Sequence, residues 1–259
     1  MNRRHFLTLS GAAGLATLGT ATTQAQAASG RQYLELQKYT FENEGQRAAF
    51  ETYLQEAAIP ALNRLGSQPV GVFFDLKEFS PAYVLIPHAS VEAAAGATQK
   101  LLADAAYTAK AGDFIKGPKS APPYKEVESW LMRAFSGMPK VETPVKGPNR
   151  VFQLRIYESP SVQTGQKKIE MFNDGGELKI FREVGLAPVF FGEVLFGAKL
   201  PNLTYMLGFE SPEDMKAGWG RFGKHPEWQR LRTMPEYADS KVIRGITNTV
   251  LKPAAYSQI

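Results

Sequence analysis

The chain contains no cysteine in 259 residues. That excludes disulfides, thiolate metal sites, iron–sulfur ligation and cysteine nucleophiles. A chain without thiols has nothing to mispair, so it fits an oxidising or a reducing compartment. Histidine is nearly as scarce, with His5, His88 and His225 the three present. No two stand at metal-ligand spacing. The catalytic templates that a sequence can show are also missing. There is no Gly-x-Ser-x-Gly, no glycine-rich phosphate loop with lysine, no His-Glu-x-x-His and no dinucleotide fingerprint. Nor is there a run of basic residues. Lys and Arg alternate with Asp and Glu through both halves, and Arg3 and Arg4 supply two of the +5 net charges. A mixed, solvated surface is the expectation, and a nucleic-acid partner is not.

What is present begins with an address. Asn2-Arg3-Arg4-His5-Phe6-Leu7 precedes a weakly apolar stretch, Leu7 to Ala21, too short and too mild for a transmembrane helix. Ala25-Gln26-Ala27 then supplies small residues at a cleavage spacing. Residues 1–27 resemble a bacterial twin-arginine (Tat) signal peptide, with cleavage expected after Ala27. The resemblance implies a periplasmic protein without stable membrane insertion after cleavage. The other reading is an uncleaved amphipathic anchor.

The remainder carries a repeat. Leu36 and Tyr39 match Leu154 and Tyr157, Gly45-Gln46 matches Gly165-Gln166, and Gly66 and Pro69 match Gly185 and Pro188. Tyr83-Val84-Leu85 matches Tyr205-Met206-Leu207, and Ser90 matches Ser211. The offset stays near about 120 residues throughout. Two units are expected, 31–135 and 149–253, joined by a Pro/Gly-rich linker at 136–148. Each reads strand, helix, strand, strand, helix, strand. In the second unit, Phe152, Leu154 and Ile156 alternate with Gln153, Arg155 and Tyr157, the period of a strand. Gly175-Gly176 weakens the helix between Gly165 and Gly185. Ser211-Pro212-Glu213 is a cap with proline at the first helical position. In the first unit, Pro60 is expected to kink a helix over Gln46–Leu65, and Ser90–Tyr107 reads as one alanine-rich helix. The βαββαβ order predicts an α+β fold. Two tandem ferredoxin-like units would cover each other's bare sheet faces and close a pseudo-twofold dimeric α/β-barrel.

The second unit resembles the NIPSNAP family. The residues that carry this are Phe152 to Tyr157, Gly185, Gly192, the loop from Gly197 to Asn202, Tyr205 and His225-Pro226-Glu227-Trp228. The match spans about residues 150–250 and extends more loosely to the first unit. The family is similar to dimeric α/β-barrel proteins, among them small-molecule monooxygenases and oligomer-forming binding proteins. This implies the ferredoxin-like fold and the barrel and allows a homo-oligomer, but it implies no agreed activity. The first unit departs from the pattern, with Gln37 where Arg155 stands and no His-Pro-x-Trp. A site is therefore expected in the second unit.

If Phe152, Leu154 and Ile156 face the helices, Gln153, Arg155 and Tyr157 point into the barrel. Glu193, on a neighbouring strand, would meet Arg155 there, because a buried charge needs a partner. Two readings follow. One is a structural ion pair. The other is a pocket formed by Arg155, Tyr157, Glu193 and Tyr205, in which Arg155 grips an anion and Glu193 or His225 moves a proton. For His88, at a strand-to-helix turn, and for Trp228, a core role is the plainer reading. No metal and no cofactor are expected. The functional expectation is a small-molecule-binding protein. A cofactor-independent oxygenase or isomerase, and an assembly module without ligand, are the rivals. Replacing Arg3 and Arg4 together with lysine should strand the precursor in the cytoplasm on cell fractionation. Mature protein still reaching the periplasm would refute the twin-arginine expectation.

Overall fold

The computed structural model describes residues 30–259, so the signal-peptide expectation lies outside the described residues. In chain order the strands are β1 (Tyr33–Thr40), β2 (Gly71–Asp75), β3 (Ala82–His88), β4 (Glu126–Ala134), β5 (Val151–Glu158), β6 (Ala187–Phe196), β7 (Asn202–Phe209) and β8 (Gly245–Pro253). They form one closed antiparallel barrel in the order β1-β3-β2-β8-β5-β7-β6-β4. The first four strands and the last four make the two arcs. The arcs meet where β2 pairs with β8 and β4 with β6. Helices pack on the outside of both arcs.

The helices start and stop where their side chains dictate. Asn43 caps α1 (Glu44–Tyr53), its side chain accepting from the Gln46 amide. The kink expected at Pro60 falls one turn earlier. Pro60 has no N–H to give, and Leu54–Ala58 widens into a π turn before α2 (Ile59–Arg64). The single helix expected at Ser90–Tyr107 is two, α3 (Val91–Ala103) and α4 (Ala105–Ile115). Asp104 ends one and caps the next, accepting from the Tyr107 amide. In the second arc, Gly176 at φ 91° separates α5 (Val162–Asn173) from α6 (Glu177–Glu183). A side chain there would be strained, so the glycine pair sets the break. Ser211 caps α7 (Pro212–Lys224), and α8 (Pro226–Arg232) and α9 (Asp239–Val242) follow.

The barrel interior is packed with hydrocarbon from both arcs. Leu34, Leu36, Phe73, Leu85 and Met132 meet Phe152, Leu154, Phe190, Met206 and Leu251. Phe73 and Phe152 cross the arcs edge to face at 4.9 Å between centroids. Val145 of the connecting segment and the terminal Ile259 join the same cluster. An eight-stranded barrel is just wide enough for its side chains to fill it. This overturns the expected orientation of β5. Phe152 and Leu154 point inward, and Gln153, Arg155 and Tyr157 point outward toward the helices. At the level of Phe152 and Leu154 the interior is filled with hydrocarbon and offers a guanidinium no partner, whereas the helix layer supplies both aromatic rings and polar tips.

Candidate functional site

Two further apolar clusters lie between the barrel and its helices, one over each arc. They share a plan but are filled differently.

Over the second arc the space is full. Phe191 and Tyr205 stack at 4.6 Å, and Phe172, Phe181, Trp219 and Phe222 pack around them. Arg155 sits among these rings. Its Nη2 donates to the Tyr157 hydroxyl at 2.8 Å, and the Tyr205 hydroxyl donates to the same oxygen at 3.1 Å. Its guanidinium lies 4.5 Å from the Trp219 ring centroid, and the Trp219 indole donates to Gln153 Oε1 at 2.7 Å. Arg155 Nε is buried without a hydrogen-bond partner. Burial pushes the Tyr205 phenol well up, so it remains a neutral donor. Three of the four expected residues, Arg155, Tyr157 and Tyr205, are therefore together, but in packed protein.

Glu193 does not join them, and the expected Arg155–Glu193 pair is absent. Phe191 and Glu193 share the outward face of β6, and Glu193 accepts from Arg133 Nη2 at 2.7 Å and from Gln166 of α5. It borders a surface groove of about 450 Å³ with Val162, Gly165 and Leu200. His225 precedes α8. Its Nε2 stands 3.6 Å from Glu183, and its Nδ1 is buried without a partner. Trp228 packs on Phe222 at 4.4 Å.

One feature of this arc escaped the sequence analysis. Lys168 and Glu177 form an ion pair at 3.2 Å with both side chains almost wholly buried. Burial pushes the Glu177 carboxyl up, and the Lys168 ammonium pulls it back. The clue was present in the spacing: Gly165, Lys168 and Phe172 share one face of α5, so a lysine stood on an apolar stripe.

Over the first arc the same space is open. A cavity of about 470 Å³ lies between β1, β3 and the helices α1 to α4. By strand register Gln37 faces Val84, whereas Arg155 faces Tyr205, so Val84, and not Tyr83 as the repeat suggests, stands in the place of Tyr205. A valine in place of a tyrosine, under an alanine-rich α3, leaves the volume unfilled. The floor of the cavity is polar. Glu35 Oε1 accepts from Gln37 Nε2 at 2.7 Å and from Ser129 Oγ at 3.0 Å. Glu35 Oε2 lies 3.0 Å from His88 Nε2, and His88 Nδ1 lies 3.3 Å from Ser67 Oγ. The Tyr39 hydroxyl donates to Gln37 Oε1 at 3.1 Å. Burial tends to raise the Glu35 carboxyl, but the bonds from His88, Gln37 and Ser129 outweigh it and hold the group below its ordinary range. The walls are Tyr39, Tyr53, Tyr107, Phe114 and Tyr124 with aliphatic side chains. The Tyr53 and Tyr107 hydroxyls are 3.0 Å apart. Whichever donates, one phenol hydrogen remains for another acceptor. His88 thus has the buried structural setting expected of it, but directly behind a cavity residue. Glu35, Tyr53 and Tyr107 were not foreseen, and Gln37 was noted only as a departure from a pattern.

The buried pair gives a stability test. Lys168→Met should cost about 3–5 kcal/mol, because it strands Glu177 in apolar surroundings. Lys168→Met/Glu177→Leu should recover most of that loss. A raised folded-state pKa on an acid destabilises increasingly as pH rises above the unfolded value. The deficit of the single variant should therefore shrink toward low pH. Urea unfolding at several pH values checks both points.

Residues 152–258 match the NIPSNAP family. No curated protein matches the chain. Among solved structures, a candidate monooxygenase of Lactobacillus acidophilus NCFM is 11% identical over 86% of this chain and 94% of that one, with a TM-score of 0.59. An anthrone oxidase-like protein is 8% identical over 86% and 92%, with a TM-score of 0.52. A NIPSNAP-like domain protein of Burkholderia xenovorans is 21% identical over 42% of this chain and 89% of that one, with a TM-score of 0.37. At these identities the first two likenesses show the fold alone: a mixed α/β architecture around an eight-stranded antiparallel barrel.

Proposed function

We propose that this chain is an exported small-molecule-binding protein of two tandem ferredoxin-like units, 31–135 and 149–253, and that its ligand occupies the cavity of the first unit. The twin-arginine start and Ala25-Gln26-Ala27 support export. The repeated βαββαβ order and the equivalent strand places of the two arcs support the tandem units. The observation that carries the binding site is the cavity of about 470 Å³ with converging polar groups on an otherwise apolar wall. The Arg155 cluster has the same plan with the space filled by aromatic rings, so it serves the fold.

Two neighbours of the fold are named for oxidations, and a cofactor-independent oxygenase or isomerase is the second reading. Turnover of a bound molecule separates it from simple binding.

The test is ligand-observed NMR with 2-phenylethanol as a neutral apolar probe. The wild-type protein should bind it. Val84→Phe, which fills the cavity from the sheet side, should weaken binding at least about tenfold, and Arg155→Met should leave it unchanged. A Val84→Phe protein that melts cooperatively and binds like the wild type would overturn the assignment. So would loss of binding in a folded Arg155→Met protein.

A further inference from the structure

The first-arc cavity has a charge of one sign. Among its lining residues Glu35 is ionisable at neutral pH and carries a negative charge, and no Lys or Arg lines the cavity. Nor does any Lys or Arg of the described residues lie within ion-pair distance of Glu35, whose one such neighbour is His88. His88 does not line the cavity. Facing a carboxylate, its Nε2 carries a proton and donates to Glu35 Oε2 at 3.0 Å, while Nδ1 lies 3.3 Å from Ser67 Oγ. It orients the carboxylate from behind and leaves the cavity side of Glu35 open.

The carboxylate is held but not saturated. Its two oxygens offer about four acceptor positions. Three are occupied, two on Oε1 by Gln37 and Ser129 and one on Oε2 by His88. The fourth, on Oε2, is unclaimed, and Glu35 borders the cavity. A half-buried anion with an open acceptor position on a cavity takes a donor there, and a charged donor complements it best.

The walls favour the same sign. Tyr53 and Phe114 stack face to face at 4.0 Å, Tyr124 lies 5.8 Å from Phe114, and Tyr39 meets Tyr124 edge-on at 5.3 Å. Aromatic faces are electronegative and attract cations. Burial pushes the Tyr39 and Tyr53 phenols up, so they add no competing negative charge.

We infer that the cavity recognises an organic monocation, a protonated amine on a compact apolar body, with its ammonium at Glu35 Oε2 and its hydrocarbon against the tyrosine and phenylalanine wall. The inference rests on the cavity being the binding site and adds the class of ligand. It reverses the polarity that Arg155 suggested, since an anion would meet the Glu35 carboxylate in a cavity that no Lys or Arg lines. The phenol hydrogen left by the Tyr53–Tyr107 pair could also bind an acceptor on the body of the ligand.

Isothermal titration calorimetry of the full chain with three probes of one shape tests this: phenethylammonium, 2-phenylethanol and phenylacetate near neutral pH. Phenethylammonium should bind at least about tenfold more tightly than the alcohol, and phenylacetate most weakly. Glu35→Gln should abolish the advantage of the cation while the alcohol still binds. Equal affinity for cation and alcohol in the wild type would overturn the inference and leave the cavity standing as a neutral site. Preference for the cation that survives Glu35→Gln would overturn it equally. Failure of all three probes to bind would remove the cavity assignment as well. The wild-type comparison decides the matter even if the variant does not fold.

Discussion

The width of the barrel governs the rest of the structure. Eight strands enclose a space that their own side chains fill, and both arcs contribute to it. Phe73 from one arc and Phe152 from the other meet at its centre. Because this interior is dry, it cannot hold an arginine or a glutamate without an excellent partner. Polar chemistry is therefore displaced to the layer between sheet and helices. That displacement explains why Arg155, Tyr157 and Gln153 turn outward on β5, and why Glu35 and Gln37 do the same on β1. The exception is one mouth of the barrel, where a space of about 190 Å³ stays open beside Leu36, Trp130 and Ile156 and the Lys38–Glu128 ion pair, at 2.6 Å, borders it.

The two helix layers then diverge by packing. In one, Tyr205 stacks on Phe191 and a ring of aromatics encloses Arg155. The guanidinium is held by the Tyr157 phenol oxygen and the Trp219 indole face, and among the described residues no carboxylate lies in ion-pair contact with it. In the other, Val84 stands in the corresponding register place, α3 has no buried side chain, and the volume stays open. The charges are opposite as well: a cation within packed aromatics on one side, an anion on the floor of a cavity on the other. One arc is built as a solid core with a buried Lys168–Glu177 pair. The other is built as a container.

Much of the architecture was legible because it rests on local rules. Alternation located β5, and Ser211-Pro212 marked the start of α7. Gly175-Gly176 marked the break between α5 and α6. Where the reading failed, the deciding quantity was tertiary. Alternation shows that Leu154 and Arg155 face opposite ways, but not which way is inward. That depends on whether a barrel of this size has room for water. Asp104 looked like one polar residue in an alanine-rich helix, yet its carboxylate competes for a backbone amide and starts a new helix. The cavity was illegible for a related reason. It depends on which side chains fail to fill a space, and Glu35 and Tyr53 become neighbours of that space only once β1 and α1 have packed.

The central claim is that both arcs share one core. Equilibrium unfolding of Phe152→Ala, followed by tryptophan fluorescence and by far-ultraviolet circular dichroism, tests it most directly. Trp219 and Trp228 report on the second arc and Trp130 on β4 of the first. A shared core predicts coincident, single transitions in both proteins, with the variant less stable by about 3–5 kcal/mol, the cost of emptying a large aromatic site. Two separable transitions, with Phe152→Ala moving one and sparing the other, would contradict the account.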